Sequence, residues 1–245
     1  MAPVRETRTT AAPLAPMLDE AAEAHGQREA VVYGRERISY DELRESVDQL
    51  AAGLTARGIT PGDPVAVVLG NVPAFAVAFF AVTRSGGVSV PLNPQFKEPE
   101  LDFHFRDYGV RAVLCDEDAA DRCRNVAGDA EVLVAGEPLD ALIEEHAGEA
   151  AVHRAPGEHA VFQFSSGSTG RPKRVPRTHA QLQAEADAFV AAAELSPEDS
   201  LLCTIPLFHT YGMGCCLVAA VRSGATLLLF EDPNPLLLMR TRCSS

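Results

Sequence analysis

Short, unbroken apolar runs bounded by turn residues, each followed by a longer helical stretch, constrain this chain more than any other feature. Residues 65–69 follow the Pro61-Gly62-Asp63 turn with no polar position among them. They suit a strand buried on both faces, as in a parallel sheet covered by helices. A helix over 73–85, the Gly86-Gly87 break and a strand over 88–91 come next. A helix over 97–108, a strand over 111–115, a helix over 119–126 and a strand over 131–134 continue the rhythm. This alternation predicts an α/β fold of parallel-sheet layers with helices on both faces and right-handed crossovers.

Upstream, residues 16–24 read as a helix ended by Gly26, and 30–33 with 37–39 as a hairpin about Gly34. Ser39 and Glu42 form a capping-box pattern ahead of Leu43, Val47, Leu50 and Leu54, one face of an amphipathic helix stopped at Gly58. Downstream, strands are expected at 160–164, 201–205 and 225–230, with helices at 179–194 and 212–222. The chain divides into a frayed N-terminus (1–15), a first α/β lobe (16–146), and a connection (147–158) carrying Gly148, Pro156 and Gly157. The start of a second lobe (159–230) and an atypical tail (231–245) complete it.

Composition narrows the function. With 47% hydrophobic and 22% charged residues the chain is globular in character. Twenty-one basic against 34 acidic residues leave a net charge of −13, a field that repels nucleic-acid phosphates, so no nucleic-acid partner is expected. The longest apolar run, 72–82, is closed by Arg84 and is well short of the ~20 residues of a membrane span. The N-terminus has no apolar signal region. Six cysteines, at 115, 123, 203, 215, 216 and 243, include no Cys-x-x-Cys pair, which favours buried thiols, a cytoplasmic setting and no protein-held metal.

One segment carries chemistry. Ser165-Ser166-Gly167-Ser168-Thr169-Gly170-Arg171-Pro172-Lys173 sets four hydroxyl residues and two glycines between a strand and a basic cluster. Glycines let successive amides turn inward as an anion-binding nest, and the hydroxyls add donors. Arg171, Lys173, Arg174 and Arg177 supply four cations with no acid among them. A polyphosphate is the anion such a spot would serve. Pro172 stands where Gly-x-x-x-x-Gly-Lys-Ser/Thr would need glycine, and Gly167 and Gly170 have no third glycine in dinucleotide-fold register. A phosphate loop of another kind is implied.

Residues 165–173 closely resemble the signature loop of the adenylate-forming (AMP-binding) acyl-CoA synthetase and ligase superfamily. Three further segments resemble that family in the same order: Gly62-Asp63-Pro64-Val65-Ala66-Val67, Gly86-Gly87-Val88-Ser89-Val90-Pro91-Leu92-Asn93-Pro94, and Pro206-Leu207-Phe208-His209-Thr210-Tyr211-Gly212. The resemblance covers nearly all of 20–230 and implies the first part of the family's large domain. It implies an ATP-dependent acyl- or aryl-CoA ligase, in which a carboxylic acid and ATP give an acyl adenylate and pyrophosphate. Coenzyme A then takes the acyl group as a thioester. Carried over, Ser165, Ser166, Gly167, Ser168, Thr169, Gly170 and Lys173 would wrap the β- and γ-phosphates, with Thr169 and Lys173 closest to catalysis. His209, Tyr211 and Gly212 would line the acyl pocket, His209 as a positioning group. Arg174 departs from the family's commoner glycine.

The family's later motifs, which bind Mg²⁺, hold the ribose and supply the adenylation lysine, have no match here. The resemblance therefore implies a truncated chain, incomplete as a catalyst alone. A non-catalytic phosphate-binding module, or one subunit of a split ligase awaiting its second half, is the alternative. The sheet containing the strand at 225–230 is expected to end early, leaving an unpaired edge and an uncovered apolar face. Size-exclusion chromatography and denaturation should then report a marginally stable, association-prone protein; a monodisperse monomer with one cooperative transition would contradict this.

Overall fold

The computed structural model describes residues 14–148, 158–165 and 173–230. Helix α1 (Leu14–His25) precedes a hairpin of β1 (Glu29–Tyr33) and β2 (Glu36–Ser39), turned at Gly34 with φ of 58°. Then follow α2 (Tyr40–Ala56), β3 (Pro64–Val68), α3 (Pro73–Arg84), β4 (Val88–Pro91), α4 (Glu98–Tyr108) and β5 (Ala112–Cys115). After α5 (Glu117–Val126), β6 (Glu131–Val134) and α6 (Glu137–Glu145) come β7 (His159–Ser165), β8 (Lys173–Thr178) and α7 (His179–Ala193). β9 (Ser200–Cys203), a π-helical segment (Gly212–Val218), α8 (Ala219–Ser223) and β10 (Thr226–Leu229) complete the order. The Ser39–Glu42 capping box forms as its spacing predicts.

The strands make two sheets. The larger runs β6-β5-β3-β4-β7-β8, parallel except for β8. The smaller runs β2-β1-β10-β9, with β1, β10 and β9 mutually parallel. Both draw strands from either side of 147–158, most of which lies outside the described residues. On β3, Val65 and Val67 face a core shared by both sheets with α1, α2, α3, α7 and α8. Ala66 and Val68 face a second core under α4 and α5. The strand is fully buried on both faces, as its apolar run predicts.

Four features bear on the sequence-based expectation. Among the described residues an open edge of the sheet that holds β10 falls at β9: β10 itself lies between β1 and β9, because the N-terminal hairpin returns to pair with it. An apolar row nonetheless crosses that sheet in register, Val32 beside Leu228 beside Leu202, and Leu202 is 45% exposed. Residues 173–178, read only as a basic cluster, form β8; an edge position tolerates its Pro176. The apolar helix over 212–222 is π-helical in its first seven residues and α-helical after them. α6 adds a helix where none was read.

Two buried polar anchors tie distant parts together. Arg84, 1% exposed at the end of α3, pairs with Asp19 of α1 at 2.5 Å and with Asp48 of α2, and donates to the Ala15 carbonyl at 3.2 Å. A buried guanidinium needs such partners. Tyr40, fully buried, donates its hydroxyl to the Ala225 carbonyl at 2.7 Å and so joins α2 to the strand region 185 residues away.

Two expectations follow. His179, at the start of α7, accepts a hydrogen bond from the Leu14 amide through Nδ1 at 3.3 Å, and burial lowers its pKa from 6.5 to about 4. The unfolded chain takes up this proton near 6.5 and the folded chain only near 4. Stability from this group is therefore complete above 6.5 and falls by about 3 kcal/mol as pH drops through that window. Denaturant titrations between pH 7 and 4 should show the fall, and His179→Gln should flatten it. At Gly212 an added Cβ would overlap the Pro206 backbone carbonyl, which cannot swing aside. Gly212→Ala should cost about 1–3 kcal/mol in the same measurement.

Candidate functional site

Parallel pairing gives β3, β4, β5 and β7 a common carboxyl edge, the place where open α/β sheets bind ligands. β7 ends at this edge with Ser165, and β8 begins there with Lys173, its cross-strand partner. Both side chains are exposed. The ladder between them closes the base of the hydroxyl- and glycine-bearing segment. Ser166, Gly167, Ser168, Thr169 and Gly170, with Arg171 and Pro172, lie outside the described residues.

The base of the hairpin is held from both faces. Phe162 and Phe164 point outward into an aromatic cluster, Phe162 stacked on Tyr108 at 5.8 Å and Phe164 at 4.6 Å from His104. His104 is buried in that cluster, and loss of solvent lowers its pKa. Arg174 lays its guanidinium over Tyr108 at 4.6 Å and over Phe162 at 5.1 Å, and reaches the carbonyl and carboxylate of Asp107. Tyr108 donates its hydroxyl to the Gln163 carbonyl at 2.9 Å; burial pushes its own pKa up to about 12, so it stays a donor at neutral pH.

These contacts correct the electrostatic reading of the basic cluster. Arg174 is committed to Asp107 and the two rings. Arg177 pairs with Glu185 of α7 at 2.5 Å. Acids supplied by α4 and α7 thus neutralise two of the four cations that the local sequence showed without an acid. Lys173 remains at the mouth of the segment.

Residues 206–212 reach the same carboxyl edge through two staples that sequence reasoning missed. Asn71, just beyond β3, donates to the Ile205 carbonyl at 3.0 Å and accepts from the Leu207 amide at 2.8 Å. Thr210 donates its hydroxyl to the Gln163 side-chain oxygen at 3.1 Å. A polar residue directly after a buried parallel strand, as Asn71 is, was the one local signal available. Among the expected pocket residues, His209 and Tyr211 are exposed and Gly212 is buried. The His209 amide donates to the Pro206 carbonyl at 3.0 Å, and its Nδ1 accepts from the Tyr211 amide at 3.3 Å. That bond ties the exposed ring to the backbone through Nδ1 and leaves Nε2 as its other nitrogen. Tyr211 meets Phe189 of α7 edge-on at 6.1 Å.

The arrangement offers hydroxyls, a lysine and an oriented imidazole at one sheet edge, and Cys215 near it is not a ready thiolate. Cys215 lies 3.6 Å from a Glu185 carboxylate oxygen; burial first, and that carboxylate second, push its thiol up to about 11. Cys115, Cys123, Cys203, Cys215 and Cys216 are all free and buried. Among the described residues no group of three or more His, Cys, Asp or Glu side chains is placed to hold a metal ion, and no helix is long and apolar enough to cross a membrane.

Comparison with known proteins shows the family. The sequence is 31% identical over 206 residues to a feruloyl-CoA synthase of Amycolatopsis sp, covering 84% of this chain and 41% of that protein. It is 33% identical over 241 residues to a salicyl-AMP ligase / salicyl-S-ArCP synthetase of Mycobacterium tuberculosis, covering 89% and 42%. The ATP-bound MatB of Rhodopseudomonas palustris superposes with a TM-score of 0.83 at 25% identity, over 92% of this chain and 47% of that one. The chain thus spans less than half the length of these relatives. The family profile described as AMP-binding enzyme matches residues 18–243, and with the ordered motifs and the shared fold in agreement, the chain belongs to that family.

Proposed function

We propose that residues 165–173 grip the triphosphate of ATP while residues 206–212 line the place where a carboxylic acid meets it. The chain then carries the nucleotide-binding portion of an acyl- or aryl-CoA ligase. In the full reaction a carboxylate oxygen attacks the α-phosphorus of ATP, and pyrophosphate leaves as an acyl adenylate forms. The thiol of coenzyme A next attacks the acyl carbon, and AMP departs. The observation that carries this reading is the convergence at one carboxyl edge of the Ser165–Lys173 hairpin base and the 206–212 segment, through Asn71 and Gln163.

Each residue has a physical part in it. Backbone amides about Gly167 and Gly170, with the hydroxyls of Ser165, Ser166, Ser168 and Thr169, are donors suited to β- and γ-phosphate oxygens. Lys173 adds a point charge where negative charge grows as pyrophosphate separates. The exposed imidazole of His209, with Tyr211, orients the acid, and Gly212 lets the backbone behind them close against the Pro206 carbonyl. Mg²⁺ is a different matter. The described residues do not provide a ligand set for it, so no step here is assigned to the metal. The buried, reduced thiols suit a cytoplasmic setting.

A second reading is a phosphate-binding module without turnover, or one subunit of a split ligase. That the chain spans 41% and 42% of two of the ligases it resembles is consistent with it. Pyrophosphate exchange into ATP, run with a panel of aryl and aliphatic carboxylic acids, separates the readings. Exchange by this chain alone supports the ligase; binding without exchange supports the module; exchange only after adding the C-terminal portion of a relative supports the split enzyme. Calorimetric titration tests the loop directly. Lys173→Ala should weaken ATP and pyrophosphate binding by about tenfold or more, and unchanged affinity would remove the assignment.

A further inference from the structure

Gln163 sits on β7 two residues before Ser165, on the face that carries Val161 into the larger core, while Phe162 and Phe164 pack against the other one. It is 6% exposed. Its side-chain oxygen accepts the Thr210 hydroxyl, and its Nε2 has no hydrogen-bond partner among the described residues. Packing alone would place an aliphatic residue here. A buried carboxamide with one end unmet is a costly occupant, and such a group calls for a reason other than stability. The reason lies in what the met end touches. Thr210 stands between His209 and Tyr211, so this hydrogen bond joins the strand leading into 165–173 to the segment carrying the exposed imidazole.

We propose that Gln163 is a positioning residue that couples the anion-gripping segment to the acid-side segment through Thr210, so that occupancy of the first adjusts the setting of His209 in the second. The proposal rests on the phosphate-binding reading above. Tyr108 and Thr210 bind Gln163 at its backbone carbonyl and its side chain respectively, so a shift of β7 at Ser165 has a direct path to Thr210. β8 offers an indirect route through Arg177, Glu185 and Cys215, which ends on the π-helical segment beyond His209.

The test follows the His209 imidazole C–H resonance by NMR, assigned with His209→Gln, while inorganic pyrophosphate is added to saturation. In the wild-type chain and in Thr210→Ser, which keeps the hydroxyl, the resonance should move with the same midpoint as the calorimetric binding isotherm. In Gln163→Leu and Thr210→Val it should stay where it is in the free protein once pyrophosphate is saturating. A resonance that moves equally in both variants would report only the field of the anion and would overturn the coupling. So would a wild-type chain that binds pyrophosphate without any response at His209. Failure of the wild-type chain to bind pyrophosphate at all would instead remove the phosphate-loop assignment, and the coupling with it. Thr210→Val, nearly isosteric, carries the test if Gln163→Leu does not fold.

Discussion

The site depends on one ladder, the antiparallel pairing that sets Ser165 opposite Lys173. Neighbouring strands lie about 4.7–4.9 Å apart, so the two ends of the intervening segment are held at one strand spacing. That closure is made rigid from outside by Phe162, Phe164, Tyr108 and His104, and from inside by Gln163. Because β7 is parallel to β4, the closed end falls at the carboxyl edge rather than at the opposite one. A loop with the same residues on a hairpin of reversed direction would face away from Asn71 and the 206–212 segment.

The sequence was legible where a signal is local. The Ser39–Glu42 box, the glycine stops and the apolar run of β3 each depend on neighbours within a few positions, and each is formed. β8 was not legible because Pro176 and its cations argue against a strand, and only its edge position makes both acceptable. α6 did carry a signal, in Leu139, Leu142 and Ile143 at helical spacing, and both leucines are buried. The neighbours of β10 lay beyond reach, since its pairing with β1 joins opposite ends of the described chain. In the site, motif residues were readable and their supports were not: Asn71 acts on Leu207 across 136 residues and Gln163 on Thr210 across 47. Charge was misread for the same reason, as Asp107 reaches Arg174 from 67 residues away.

Several arginines among the described residues are tied to acids of the same chain. Arg84 binds two carboxylates and a carbonyl under three helices, Arg57 joins Glu131 at 3.2 Å, and Arg222 joins Asp187 at 2.6 Å. A guanidinium serves this work because its planar fork satisfies several acceptors at once. The residue left at the mouth of the hydroxyl segment is a lysine, whose compact ammonium acts as a point charge on a flexible stem.

The interleaving of the two sheets sets the order in which the molecule can assemble. The β1–β2 hairpin emerges among the first forty residues, but its parallel neighbour is β10, and Thr226 donates to the Glu29 carbonyl across 197 residues. Contacts so remote in sequence require a large loop to close before they return any stability, which slows the search for them. The central β3, β4 and β5 lie close together along the chain and can pair long before then. During synthesis the opening hairpin must therefore wait, β1 paired to β2 on one edge and open on the other, until nearly the whole described chain has been translated.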